Sequence, residues 1–316
     1  MRFGFYLPTR GPVATGPALG AFVRRGEELG FDSVMIADHL VFPARVDSPY
    51  PYTLSGAFPG QGDALDLISL LTFAAAASTK LRLVTSVMIV PLRNPLATAK
   101  ALATVDVLSG GRLTVGVGVG WLREEFEAMA APDFDRRGRS TDEFVAIYRR
   151  LWSEDPASFE GEFYRFDALH CLPHPIQRPH PPIWIGGHSR AALRRVARIG
   201  DGWHPVGATP TALSSPDDFS AALDDLRRFC DEEGRDFDRL TVSFKAPTYD
   251  LDRNAAPGAP GVARRPFTGS AEDVAADIAD YERRGAHEVV FDFRSTTLAE
   301  CIERMERFAS EIRPLL

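Results

Sequence analysis

The feature that most constrains this chain is an alternation of two hydrophobic periods that recurs eight times along its 316 residues. In each unit a short apolar run, typical of a buried strand, precedes a stretch whose apolar residues recur at helical spacing. The runs are almost continuously apolar, which indicates parallel strands that are covered by helices. The predicted strands are 3–8, 33–38, 82–90, 112–121, 182–187, 202–206, 240–247 and 287–293.

The intervening helical patterns carry recognisable start and stop signals, such as Pro95 near a first helical position and Ser215 as an N-cap. Eight strand–helix units in a chain of this length predict a closed (β/α)8 barrel, the TIM barrel, as one domain over residues 1–316. An open doubly wound sheet is the alternative on pattern alone. The predicted helices are 17–30, 64–78, 94–110, 123–130, 135–152, 189–200, 215–234, 270–285 and 296–312.

Three segments interrupt the alternation. Residues 41–63 follow strand two and carry four prolines and four aromatic residues, and residues 247–269 follow strand seven and are rich in Gly, Pro and Ala. Insertions after strands lie at the C-terminal face of a barrel, so we expect lids or substrate-binding walls there. A passive disordered insertion is the alternative. Residues 153–182 precede strand five and predict a small hairpin and a proline-rich connector on the opposite rim.

Strand four contains glycines at every second position: Gly116, Gly118 and Gly120 alternate with valines. Alternate residues of a strand share a face, so the glycines are expected on one side and the valines on the other. Glycine weakens a strand unless something must approach its backbone closely. The pattern therefore indicates either a slot for a flat ligand ring inside the barrel or a space that large side chains of other strands fill.

Strand five ends in Gly186-Gly187, followed by His188, Ser189 and a helix that begins near Arg190. Free amides at a helix N-terminus, approached through glycines, form an anion site that Arg190 and Arg194 could assist. A plain tight turn is the alternative.

Strand two ends in Asp38-His39, and a histidine at that face can exchange protons near neutral pH. A structural histidine is the alternative, and His204 after strand six has a weaker claim. Ser86 and Val87 are by periodicity simply part of strand three. The sequence has no GxSxG, P-loop or GxGxxG motif and no HxH on strand one, which argues against metallohydrolase chemistry.

Composition excludes several classes of protein. Lys and Arg number 36 against 43 Asp and Glu, a net charge of −7, without the basic cluster that nucleic-acid binding needs. The longest apolar stretch, 67–77, is too short to span a bilayer, and the first residues lack the pattern of a signal peptide. Cys171, Cys230 and Cys301 lie far apart, so we expect neither disulfide nor metal site, and a cytoplasmic location.

Taken together and in order, four segments resemble the luciferase-like monooxygenase superfamily, and within it most closely the flavin- and deazaflavin-dependent (coenzyme F420) oxidoreductases. The likeness covers most of residues 1–206 and continues more weakly to the end. It implies a TIM barrel with the cofactor ring in the barrel mouth. The segments are FGFYLP, ELGFDSVMIADHL, LRLVTSVMIVPLRNPLATAKALATVDVLSGGRLTVGVGVGW and PPIWIGGHSRAALRRVARIGDGWHP.

The resemblance also implies roles for individual residues. His39 would exchange protons, Asp38 would lie beside the ring, and Ser86–Val87 would form a bulge behind it, often with a cis peptide bond. Some sugar-phosphate dehydrogenases of the family carry an acid directly after the strand-four glycines, where this chain has Trp121, so their substrate is not carried over. The remaining implied contacts to the ring or its phosphate are Gly116, Gly118, Gly120, Trp121, Gly186, Gly187 and Ser189, with Glu125 also at the mouth.

The implied activity is hydride transfer between coenzyme F420 and a small organic substrate that the sequence does not identify. The protein would supply orientation and electrostatics, with the 41–63 loop covering the substrate. Two alternatives remain: an FMN-dependent two-component monooxygenase that uses oxygen and a partner flavin reductase, and a non-catalytic cofactor-binding relative. The resemblance also implies a homodimer.

Overall fold

A computed structural model describes residues 1–58, 60, 63–247, 249–251 and 264–316. Eight parallel strands form a closed barrel. They are β1 (Arg2–Tyr6), β2 (Ser33–Ile36), β3 (Arg82–Thr85), β4 (Leu113–Gly118), β5 (Ile183–Gly186), β6 (Gly202–His204), β7 (Thr241–Ala246) and β8 (Glu288–Phe291). Neighbouring strands follow the order β3-β2-β1-β8-β7-β6-β5-β4, and pairing of Leu83 with Leu113 closes the ring between β3 and β4.

Helices surround this barrel. They are α1 (Gly16–Glu28), α2 (Leu67–Ala77), α3 (Pro95–Leu108), α4 (Arg123–Ala128), α5 (Arg137–Ser153), α6 (Arg190–Ile199), α7 (Pro216–Glu232), α8 (Ala271–Arg284) and α9 (Leu298–Arg307). Several begin with the caps that the sequence predicts: Ser215 accepts the amide of Asp218, and Pro95 occupies the first turn of α3. The predicted TIM barrel is confirmed, and the open doubly wound sheet is wrong.

Each strand has two buried faces, which explains the continuously apolar runs. Outward residues such as Val115 and Val117 join the large core between strands and helices. Inward residues form a second, smaller cluster in the barrel, made of Tyr6, Met35, Val84, Trp184 and Val290. The interior is therefore packed at its lower levels, and any ligand must bind at the C-terminal mouth.

Two predicted elements differ from the structure in instructive ways. The single strand predicted for 82–90 is two pieces, β3 and the short strand Met88–Ile89, separated by a bulge at Ser86–Val87. The hairpin predicted before strand five is present as an antiparallel pair, Ala157–Glu160 with Arg165–Leu169. Most of the predicted loop 247–269 lies outside the described residues. Within the described part of the chain, none of the helices combines the length and apolarity needed to cross a bilayer.

Candidate functional site

On one side of the barrel mouth, the surface is formed by the side chain of Val87 and by the glycine backbone of β4 and β5. The bulge between β3 and Met88 places the Val87 side chain against β4 and β5, and the Ser86–Val87 peptide bond is cis. A Cβ atom added to Gly118 would come within 2.5 Å of Val87 Cγ2, and one added to Gly186 within 2.9 Å of Cγ1. The glycines thus make room for the bulge rather than leaving an empty slot. Val87 is half-buried, with part of its surface left accessible.

The third glycine of the motif does not share this face, which corrects the prediction from strand periodicity. Strand β4 ends at Gly118, and Gly120 has a φ of +85°, a left-handed conformation that favours glycine. A Cβ atom at Gly120 would meet Phe126 and Ile89 instead of Val87. Gly120 therefore makes the turn that leads into Trp121 and α4. Gly116, by contrast, faces the backbone of Thr85 as expected for an inward position.

His39 lies directly after β2, with a buried carboxylate behind it. Its Nδ1 lies 2.8 Å from Oε2 of Glu125, whose side chain is 1% exposed. The other oxygen of Glu125 accepts the backbone N–H groups of Leu40 at 2.8 Å and Val41 at 3.3 Å. A carboxylate only accepts hydrogen bonds, so Nδ1 carries the proton and Nε2 has the lone pair of the neutral ring. Nε2 makes no hydrogen bond to any part of the chain that the structure describes.

The neighbouring glutamate holds the loop after β2. Oε1 of Glu124 accepts the backbone N–H groups of Asp47 at 2.8 Å and Ser48 at 2.9 Å. Helix α4 therefore positions both the candidate histidine, through Glu125, and the 41–58 segment, through Glu124.

Asp38 does not present its carboxylate to the mouth. The side chain is completely buried, accepts the backbone N–H of Ile89 at 2.9 Å and pairs with Arg93 Nη2 at 2.5 Å. Burial raises the pKa of Asp38, and the nearby Arg93 opposes that rise. Asp38 thus anchors the segment after the bulge beside His39. Both carboxylate oxygens are used within the protein, so the cofactor contact that the resemblance implies for Asp38 stays a prediction and would not come from a free oxygen.

The hydroxyl of Ser86 is used inside the barrel. Its Oγ lies 2.9 Å from the Tyr6 hydroxyl and 2.7 Å from His204 Nε2. His204 Nδ1 donates to the carbonyl oxygen of Ser243 at 2.8 Å, so Nε2 accepts from Ser86. Burial, with Lys245 nearby, lowers the pKa of His204 to about 3, which keeps the ring neutral. His204 is therefore structural. The backbone N–H of Ser86 donates to the carbonyl oxygen of Ile36 and its own carbonyl accepts from the Tyr6 hydroxyl, so the cofactor contact implied for Ser86 stays a prediction.

Lys245, at the end of β7, is a functional candidate that the sequence analysis missed. Its Nζ lies 3.7 Å from the centre of the Tyr6 ring and has no hydrogen bond or ion pair with the described residues. Burial lowers the pKa of Lys245 to about 7. Only three lysines occur in the chain, and this one alone lies near the C-terminal end of a predicted strand. That position was the available signal.

An open cleft of about 650 Å³ lies beside the mouth, between the loops that follow β1, β2, β7 and β8. Its charged lining includes Arg10, Asp63, Asp292 and Arg294. Asp292 is paired with Arg294, whose Nε lies 2.9 and 2.8 Å from the two carboxylate oxygens. Oδ2 of Asp63 accepts the backbone N–H of Gly11 at 3.0 Å.

The aromatic residues of the 41–58 segment pack on Trp121 and His39. Phe58 stacks on Phe42 with ring centres 4.6 Å apart, and Tyr50 lies edge-on to Trp121 at 5.1 Å. The His39 ring lies 6.0 Å from Trp121. This segment therefore forms an apolar wall beside His39, and its role in binding a substrate stays a prediction. Trp121 belongs to that wall.

The turn after β5 leads to a helix N-terminus. Gly187 has a φ of +88° and its carbonyl accepts the indole N–H of Trp203 at 2.8 Å. Ser189 caps α6 by accepting the amide of Ala192 at 3.2 Å. Arg190 is exposed, and its guanidinium lies 5.6 Å from the centre of the Phe229 ring. The first amides of α6 thus remain available to an anion, on the same side of the mouth as Gly186 and Val87.

Comparison with known proteins identifies the family of this chain. The luciferase-like monooxygenase model matches residues 1–259. The chain belongs to the luciferase-like monooxygenase family. Rv0940c, an uncharacterized protein of Mycobacterium tuberculosis, is 33% identical over 252 residues, covering 79% of this chain and 78% of that protein. An FMNH2-dependent dimethylsulfone monooxygenase from Pseudomonas putida is 38% identical over 154 residues, 48% of this chain and 40% of that protein.

Solved structures agree with this luciferase-like assignment. Monooxygenase RslO1 from Streptomyces bottropensis has a TM-score of 0.77 at 26% identity, with 99% of each chain covered. A coenzyme F420-dependent tetrahydromethanopterin reductase from Methanopyrus kandleri has a TM-score of 0.75 at 18% identity, covering 99% of this chain and 98% of that one. At 18% identity the likeness concerns the fold alone.

The residues of this luciferase-like mouth fit a flavin or deazaflavin. Val87 offers an apolar surface that glycines back from behind, which suits the face of a flat ring. The capped start of α6 offers amides to a phosphate tail. His39 lies beside the aromatic wall, and its Nε2 has no hydrogen bond to the described residues.

Proposed function

We propose that this chain is an oxidoreductase that transfers a hydride between coenzyme F420 and a small organic substrate bound at the C-terminal mouth of the barrel. The observation that carries the proposal is the pairing of His39 with Glu125, a base and a buried carboxylate 2.8 Å apart beside the wall formed by Val87. Hydride transfer to or from an alcohol or carbonyl needs a group that takes up or releases one proton.

His39 has the geometry for that exchange. Glu125 holds the proton on Nδ1, so Nε2 can take a proton from a substrate hydroxyl as the substrate is oxidised, or return it in the reverse direction. The same carboxylate stabilises the imidazolium that forms. The aromatic wall of Phe42, Tyr50, Phe58 and Trp121 excludes water from the histidine and the substrate.

Other residues of this chain would hold the cofactor. Val87 and the backbone around Gly118 and Gly186 would support one face of the ring, and the N-terminus of α6 with Ser189 would bind its phosphate. The bound deazaflavin supplies a ring carbon that accepts or gives up a hydride.

Cofactor titration tests the proposal directly. Purified protein is titrated with F420 and with FMN in separate experiments, and binding is followed by absorbance and fluorescence. We expect F420 to bind and His39→Ala to bind it equally well but to lose turnover by about 100-fold or more. His170→Ala, which changes an exposed histidine on the hairpin, is the matched control and is expected to have no effect. Unchanged turnover in His39→Ala would remove the residue from the mechanism, and absence of binding by either cofactor would refute the function.

An FMN-dependent monooxygenase is the second candidate, and the Pseudomonas putida relative favours it. In that case a separate reductase must supply reduced flavin, which reacts with oxygen, and His39 would exchange a proton with the substrate. Tight binding of FMN without binding of F420 would favour this function over the first.

The expected homodimer also becomes a proposal. Helices α2 and α3 each expose a large apolar side chain, with Phe73 38% and Leu108 62% exposed, and exposed apolar surface is a feature of protein interfaces. Light scattering after size-exclusion chromatography tests this, since a mass near 35 kDa would correspond to a monomer.

A further inference from the structure

Two cationic side chains near the mouth have no partner among the residues that the structure describes, although charges in a partly closed site are normally paired. Lys245 has neither a hydrogen bond nor an ion pair with the described residues, and its side chain stands over the Tyr6 ring. Arg10 packs its guanidinium over Phe58, 4.8 Å from the ring centre, and likewise has no acidic partner among them.

The nearby acids do not neutralise these cations. Asp292 is taken by the bidentate contact with Arg294, and Asp63 accepts the Gly11 amide. Burial is the main cause of the lowered pKa of both Lys245 and Arg10; the charge of Arg294 lowers both further, while Asp292 opposes the shift. Arg294 is held by Asp292, and the Asp63 carboxylate accepts a backbone amide, so Lys245 and Arg10 are left for an anion that enters from solvent.

The position of these cations separates them from the proposed cofactor wall. Lys245 lies near the end of β7 and Arg10 follows β1, whereas Val87 follows β3 and the glycines belong to β4 and β5. The barrel order places β1, β8 and β7 opposite that wall. The aromatic segment adjoins them, because Phe58 contacts both Arg10 and the group around His39.

We propose that Lys245 and Arg10 bind the carboxylate, or a similar oxyanion, of an organic substrate whose apolar body lies against Tyr50, Phe58 and Trp121. This substrate class deepens the proposed function and rests on it for the chemistry at His39, but anion recognition itself is a separate property of the chain.

The test compares an anion with its neutral isostere. Phenylacetate and phenylacetamide are titrated by calorimetry into protein loaded with whichever cofactor binds, and into the cofactor-free protein. We expect wild type to bind phenylacetate roughly 10- to 100-fold more tightly than phenylacetamide, because charge-assisted hydrogen bonds are lost in the amide. Lys245→Met should abolish the preference and Arg10→Gln should reduce it, while Lys80→Met, an exposed lysine at the opposite face, should retain it.

Each result has a defined meaning. Equal binding of both probes to wild type, or an undiminished preference in Lys245→Met, would overturn the proposal. An equal loss of cofactor affinity in Lys245→Met would also overturn it and assign the ammonium to the cofactor. A preference for phenylacetate in protein that binds neither F420 nor FMN would support anion recognition and refute the proposed function, so the two failures are distinguishable.

Discussion

Replacing Lys245 with Met is expected to stabilise the fold, although it removes a residue of the proposed substrate site. Burial in the barrel mouth lowers the pKa of Lys245 from 10.5 to about 7. The folded protein therefore carries the ammonium form at a free-energy cost that the unfolded chain does not have. Methionine has a similar length and no charge, so it fills the same space without that cost.

The magnitude follows from the two pKa values. Their difference of about 3.5 corresponds to about 5 kcal/mol at 1.36 kcal/mol per pKa unit, which is an upper limit. Lys245 is partly accessible and its surroundings relax, so we expect about 2 kcal/mol of net stabilisation near pH 7. For a chain of this length, 2 kcal/mol raises Tm by about 3 °C.

The pH dependence gives the sharper assay. Below pH 7 both states bind the proton and the cost in wild type is complete. Between pH 7 and 10.5 the folded protein has lost the Lys245 proton while the unfolded chain still binds it. The free energy of unfolding of wild type therefore rises with pH in this range, relative to that of the variant. Thermal unfolding of wild type, Lys245→Met and the control Lys80→Met is measured by circular dichroism between pH 6.5 and 9.5. A Tm difference that is absent, or that does not shrink with rising pH, would refute the reasoning.

Three further predictions concern the cofactor wall and the histidine. Gly116→Ala places a methyl group against the Thr85 backbone and is expected to cost about 1–3 kcal/mol in thermal unfolding, whereas Gly16→Ala, with open space around it, should be neutral. Asp38→Asn leaves Arg93 without its buried partner and is expected to cost about 3 kcal/mol in urea unfolding; a loss below about 1 kcal/mol would contradict the anchoring role. Glu125→Gln should lower kcat at least about tenfold at unchanged cofactor affinity, with partial rescue in Glu125→Asp, and weakened cofactor binding would instead indicate a structural role.

The barrel itself was predictable because each strand and helix has a local signature. Buried parallel strands give continuous apolar runs, and caps such as Ser215 mark helix starts, so the predicted elements lie within a few residues of the observed ones. The motif resemblance located His39 and the Ser86–Val87 bulge, both of which the structure places at the mouth.

The contacts within the site depend on residues that are distant in sequence, and periodicity does not report them. Alternation puts Gly116 and Gly118 on the inner face but does not reveal that Val87 of another strand occupies the space. Likewise, Asp38 and His39 are adjacent in sequence, yet one is committed to Arg93 and the other faces the mouth. That Lys245 has no hydrogen bond or ion pair with the described residues can be seen only from the positions of side chains distant in sequence.

The two adjacent glutamates of α4 have a consequence for protein engineering. Glu124 binds the backbone of Asp47 and Ser48, and Glu125 binds His39. The six-residue helix α4 therefore holds both the 41–58 segment and the proton-exchanging imidazole in place. Grafting residues 41–58 from a relative would leave the transplanted loop without matching acceptors unless residues 121–128 were transferred with it. Changing the substrate specificity of this barrel therefore requires that both segments be exchanged together.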